Sequence, residues 1–107
     1  MSLKQYQRQV HAWVSQFRKP YFSIDGIKNQ INEEVDEVFD VLDTVYGKEG
    51  TGSYTEQQKI DLGNEIADVM FALSCLANRE GVDLEESWQL MMKRRYERDN
   101  DRFEKKE

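Results

Sequence analysis

The chain has one cysteine, Cys75, so no intrachain disulfide can form. No apolar run approaches the ~20 residues needed to cross a bilayer, and the N-terminus lacks the apolar core of a signal peptide. A soluble cytosolic protein with no membrane partner is expected. Bases are outnumbered, 15 against 21 acids for a formal charge of −6, which disfavours a protein that coats nucleic acid. Neither the alternating pattern of a half-buried strand nor an internal repeat is present. At 107 residues there is room for one domain, spanning 1–107, and not for two. A hydrophobic content of 38% is low for such a domain. It suits a thin helical fold that completes its core with another copy of itself.

What is there is helical. Leu3, Tyr6, Val10, Trp13 and Phe17 step at helical spacing, predicting a first helix that ends before the single proline, Pro20. Ser23 is placed to cap a long second helix running to about Tyr46. The stretch "GKEGTGS", Gly47 to Ser53, reads as a flexible loop; its glycine-to-lysine spacing is wrong for a phosphate loop and no strand precedes it. Thr55 with Gln58 forms a capping box for a third helix that Gly81 can end. Asp83 with Glu86 repeats the box for a fourth, expected to carry Leu84, Trp88 and Met91 inward. The residues from about 98 to 107 form an almost wholly charged tail, prone to fray without a partner or ligand. The fold class predicted is all-α, an antiparallel bundle of four main helices completed by homo-oligomerisation, as a dimer or tetramer.

The acids of the second helix are not all where solvent would put them. At ~100° per residue, Ile31, Val35, Val38, Leu42, Val45 and Tyr46 share one sector, and Asp36, Asp40 and Asp43 lie opposite. Glu34 falls inside the apolar sector, Glu37 on its border and Glu33 next outward. A lone ionised carboxylate in a core is costly unless paired, protonated or bound to metal.

The third helix repeats the anomaly. "IADVMFALSCLA", Ile66 to Ala77, is apolar on nearly every side, the mark of a central helix. Asp68 is its only charge, and Glu65, one turn earlier, sits between Ala72 and Leu76 on the wheel. Residues at i and i+3 share a face, so Glu34 with Glu37, and Glu65 with Asp68, each make a two-carboxylate claw. Facing claws would repel without cations, and with Mg²⁺ (or Mn²⁺) between them an all-oxygen site forms. Acid pairs at this spacing also arise by chance in acidic helices; their coincidence in two apolar sectors is what favours a metal site. A di-iron site would call for Glu-x-x-His on two helices, and the only histidine, His11, lies in the first.

"EEVDE", containing Glu33, Glu34 and Glu37, followed by "EIAD", containing Glu65 and Asp68, resembles the EExxE…ExxD signature of MazG-like nucleoside triphosphate pyrophosphohydrolases. "YFS" before the second helix, "DVMFALSCLAN" after the second claw and "RDNDRFEKKE" at the end extend the resemblance over essentially the whole chain, in the small single-domain form found in bacilli. The resemblance implies Mg²⁺-dependent cleavage of a (d)NTP between the α and β phosphates, giving a monophosphate and pyrophosphate. It implies that Glu34, Glu37, Glu65 and Asp68 ligate the metal, and that Glu33 helps to hold the attacking water or acts as its base.

Lys93, Arg94, Arg98 and Arg102 match the family's basic C-terminal segment and become candidates for phosphate contact, although Arg94 stands where lysine is expected. Cations also suit any helix C-terminus, so dipole compensation is the plain alternative. Tyr21 and Phe22, at the junction where the family holds its base, are candidates for stacking, with Trp13 assisting. Core packing is the competing reading, preferred for Trp13 and Phe17; His11 reads as a surface or minor-pocket residue and Cys75 as packing. The rival function class is a non-catalytic acidic helical module that binds a structural cation or a basic partner. Such a module has no reason to turn Glu34, Glu65 and Asp68 inward. A degenerate, regulatory family member is disfavoured because all four ligands are present.

Overall fold

The computed structural model describes residues 1–106, and its elements are four helices: α1 (Leu3–Val14), α2 (Ile24–Tyr46), α3 (Glu56–Glu80) and α4 (Leu84–Glu97). No strand occurs among the described residues. None of the helices is long and apolar enough to cross a membrane.

Each start is set by a side chain that takes an orphan backbone N–H. Ser2 and Gln5 bond reciprocally ahead of α1, and Thr55 and Gln58 do the same ahead of α3. Ser23 Oγ accepts from Gly26 N at 3.2 Å to open α2. At α4 the expected box is half made: Asp83 accepts from the backbone of Glu85 and Glu86, without a reciprocal bond from Glu86. α3 ends in a Schellman turn, with Gly81 at φ +71 and Val82 N donating to Ala77 O at 2.8 Å. The first helix is shorter than its apolar spacing suggests. It stops at Val14, and Phe17 folds back edge-on to Trp13 with ring centroids 4.9 Å apart.

α2 and α3, 23 and 25 residues long, form an antiparallel hairpin about 35 Å in length. Tyr46 meets Tyr54 edge-on at the loop end, and Arg79 Nε donates to Phe22 O at 3.1 Å at the open end. In this register Glu37 stands opposite Glu65, and Glu34 opposite Asp68. Ile27 and Val45 are fully buried along the hairpin. α1 lies on the second half of α3, where Trp13 packs edge-on to Phe71 at 5.7 Å.

α4 packs against α1 and not along the hairpin. What holds it there is Gln7, a buried amide with each end engaged. Its Nε2 donates to Asn78 Oδ1 (3.0 Å) and Val82 O (2.8 Å), and its Oε1 accepts from Leu84 N (2.9 Å). Asn78 Nδ2 returns a bond to Gln7 O. This placement corrects the inward assignment of Trp88, which is 55% exposed, while Leu84 and Met91 are half-buried. The preference for core packing at Trp13 and Phe17 is corrected too, since they are 54% and 52% exposed.

The chain is consequently open. Its radius of gyration is 17.3 Å, against about 13 Å for a compact domain of this length. Its accessible surface is 8726 Å², where a compact monomer of 12.7 kDa would show about 6,200 Å². Phe39, Ile60, Met70, Leu73, Trp88 and Leu90 are all exposed.

Candidate functional site

The two claws meet in the middle of the hairpin. Glu34 and Glu37 from α2, and Glu65 and Asp68 from α3, each offer a carboxylate oxygen, and these four atoms all lie within 4.8 Å of one another. Glu34 and Glu65 are half-buried, while Glu37 and Asp68 form the solvent-facing side. One oxygen of each inner acid, Glu34 Oε2 and Glu65 Oε2, is buried without a hydrogen-bond partner. Among the described residues no lysine or arginine forms an ion pair with any of the four.

The consequence is that the two inner acids, Glu34 and Glu65, are reluctant to ionise. Burial pushes the Glu34 carboxyl up from its ordinary range, and the charges of Glu37, Asp68 and Glu33 push it further. Glu65 is raised first by its hydrogen bond with Glu37, then by burial and by the charges of Glu37, Asp68 and Glu34. A charged acceptor held out of water with no partner is destabilising. A hard divalent cation would remove the repulsion and satisfy both orphaned oxygens at once, and an all-carboxylate donor set suits Mg²⁺ or Mn²⁺. Glu33 stands outside the four, exposed, and acts on Glu34 through its charge.

Tyr21 and Phe22 line a cavity of about 200 Å³ at the open end of the hairpin, together with Trp13, Phe17, Ile27, Gln30, Phe71 and Cys75. Gly26 makes room for Phe22 here, because a Cβ at Gly26 would lie 2.9 Å from Phe22 Cβ. Tyr21 Oη is bonded to His11 Nδ1 at 2.7 Å, and burial raises the Tyr21 hydroxyl. Burial likewise raises the Cys75 thiol, as packing rather than reactivity requires. Gln30 and Phe71 went unnoticed in the sequence, yet the signal was present. Gln30 precedes Glu34 by four residues and Phe71 follows Asp68 by three, so each shares a face with a claw.

The basic row is not gathered into this site. Arg94, Arg98 and Arg102 line a separate surface hollow with Met91, Arg95 and Asp99. Lys93 approaches Glu97 at 3.9 Å, one turn on. Since α4 packs on α1, one chain does not bring these cations to its own carboxylates.

Comparison with known proteins agrees with the paired claws. Residues 22–103 match the MazG nucleotide pyrophosphohydrolase domain. The chain belongs to the MazG family. The MazG match takes in both claws and the basic row of α4, and leaves α1 outside. A relative in Bacillus subtilis (strain 168), the uncharacterized protein YpjD, is 34% identical over 106 residues, covering 99% of this chain and 94% of that one. It extends the likeness to α1. No solved structure matches.

Proposed function

We propose that this MazG domain is a Mg²⁺-dependent nucleoside triphosphate pyrophosphohydrolase, with Mn²⁺ as an alternative ion, that serves in nucleotide-pool house-cleaning. The observation that carries the reading is the pair of orphaned buried oxygens, Glu34 Oε2 and Glu65 Oε2, inside a cluster of four carboxylates with which no lysine or arginine among the described residues forms an ion pair. A module built to display acids would leave such oxygens in water.

In this reading Glu34, Glu37, Glu65 and Asp68 hold the ion. A bound Mg²⁺ supplies charge neutralisation at the phosphate oxygens and lowers the pKa of a nearby water. Glu33, exposed beside Glu34, is placed to orient that water or take its proton. Water adds across the α–β anhydride, the bridging P–O bond breaks, and pyrophosphate leaves with the bridging oxygen or with the water's, according to which phosphorus is attacked. The hairpin contributes rigidity, because all four ligands ride on two packed helices and need no loop ordering before the substrate is positioned.

The same reading includes a homo-oligomer. About 2,500 Å² of surface beyond that of a compact monomer, with apolar side chains spread over α2, α3 and α4, is the order of area an obligate subunit interface buries. A second copy is also the source from which Lys93, Arg94, Arg98 or Arg102 would reach the phosphates.

The test is product identity. With Mg²⁺ or Mn²⁺, at least one (d)NTP should release pyrophosphate and monophosphate, and chelation should abolish it. Orthophosphate as the sole primary product would refute α–β cleavage.

A further inference from the structure

We infer that Gln30 is the specificity-determining residue of this site, the group that reads the hydrogen-bonding edge of the substrate's base in the aromatic cavity beside the four carboxylates. The inference rests on the pyrophosphohydrolase reading for what lies at the carboxylates, and on the cavity itself for the rest.

Position comes first. Gln30 stands one turn before Glu34 on α2, and Phe71 one turn after Asp68 on α3, so the cavity lining and the acid cluster are neighbours on both helices, ~6 Å apart along them. A group held by its phosphates at the cluster has its next portion, the sugar, over that single turn and its base at the cavity. Size agrees. About 200 Å³ is below the ~300 Å³ at which pockets for drug-sized ligands begin, so the cavity takes one ring system and not a whole nucleotide. Shape agrees as well. Trp13 meets Phe17 and Phe71 edge-on, so these wall rings are not stacked on one another, and flat bases are the ligands aromatic walls take best.

An aromatic wall accepts any base; discrimination needs a directed polar group. Tyr21 Oη is already bonded to His11. Lys19 is an exposed point charge at the rim. Gln30 is half-buried in the lining, and among the described residues its amide makes no hydrogen bond. That amide offers an acceptor and two donors side by side, the pairing that a base edge presents in reverse. A base bound over this half-buried amide takes it out of water, so a base of the wrong pattern leaves it unsatisfied, and this penalty is the source of selectivity.

The experiment is calorimetric titration of the monophosphates of adenine, guanine, cytosine and uracil into the full chain with Mg²⁺, for the native protein and for Gln30→Met and Gln30→Glu. Met keeps the length of the side chain and removes both hydrogen-bonding functions. The native protein should separate the best from the worst base by about tenfold or more, and Gln30→Met should compress that range to within about threefold. Gln30→Glu, an acceptor only, should shift preference by about tenfold toward bases with an amino group, guanine first because its N1–H and amino group are two donors side by side, and away from uracil. Unchanged base ranking in both variants overturns the assignment to Gln30 while leaving the pyrophosphate assay untouched. Failure of the native protein to bind any base overturns the cavity as a base site. Loss of pyrophosphate release in the native protein, with base binding retained, would remove the proposed chemistry and leave Gln30 as the selective group of a nucleotide-binding protein.

Discussion

Replacing Glu34 by Gln keeps side-chain volume and removes one charge from a set of four whose oxygens lie within 4.8 Å. Full charges at that separation repel by about 1 kcal/mol at the dielectric of water and by about 3.5 kcal/mol at an effective dielectric of 20. Glu37 and Asp68 face solvent, which places their share near the lower figure. The net expectation is a gain of about 1 kcal/mol in metal-free stability, or about 4 °C in Tm for a domain of this size. Turnover should meanwhile fall by two or more orders of magnitude, because a misplaced ion loses its charge and its positioning role together. Asp68→Asn should behave alike, and Asp40→Asn, on the solvent face of α2, should change neither quantity appreciably. Scanning calorimetry with and without Mg²⁺, paired with pyrophosphate release, reads both signs. A loss of metal-free stability in Glu34→Gln with the Mg²⁺-induced rise intact would refute the metal role and make the acids structural.

Three further outcomes follow from the same geometry. Glu34 and Glu65 are both raised in the fold, so each favours the folded state when protonated. Their contribution is full below the ordinary carboxylate value near 4.5 and is lost as pH rises through the raised value. Metal-free Tm of the native protein relative to Glu34→Gln should therefore fall with rising pH across that window, whereas the Mg²⁺-induced rise in Tm should grow, because binding needs the ionised acids; parallel profiles would count against the cluster. Light scattering at micromolar concentration should give a mass of two or four chains, and a monomer would contradict the interface argued from the open surface. Gln7→Leu should cost about 2–3 kcal/mol in denaturant unfolding, since it strands Leu84 N and Val82 O, and hydrogen exchange should quicken in α4 before α2 and α3.

Helix starts were legible in the sequence because capping is local. Ser23, Thr55 and Asp83 need only the backbone two or three residues on, and Gly81 needs only its own φ. The claws were legible for a related reason: i,i+3 spacing within an apolar sector is set by helical geometry alone, and it singled out Glu34, Glu37, Glu65 and Asp68. Periodicity could not say which apolar face meets which. Trp13, Phe17 and Trp88 have core spacing yet lie half in solvent, because α1 stops at Val14 and Gln7 ties the start of α4 to α1. The sequence by itself determined four helices and two pairs of acids. Tertiary structure decided that the pairs share one site, that an aromatic cavity with an unpartnered Gln30 adjoins it, and that the basic row of α4 lies elsewhere. Those are contacts between residues far apart in the chain, set by the hairpin register and by a single buried amide, and no local pattern encodes them.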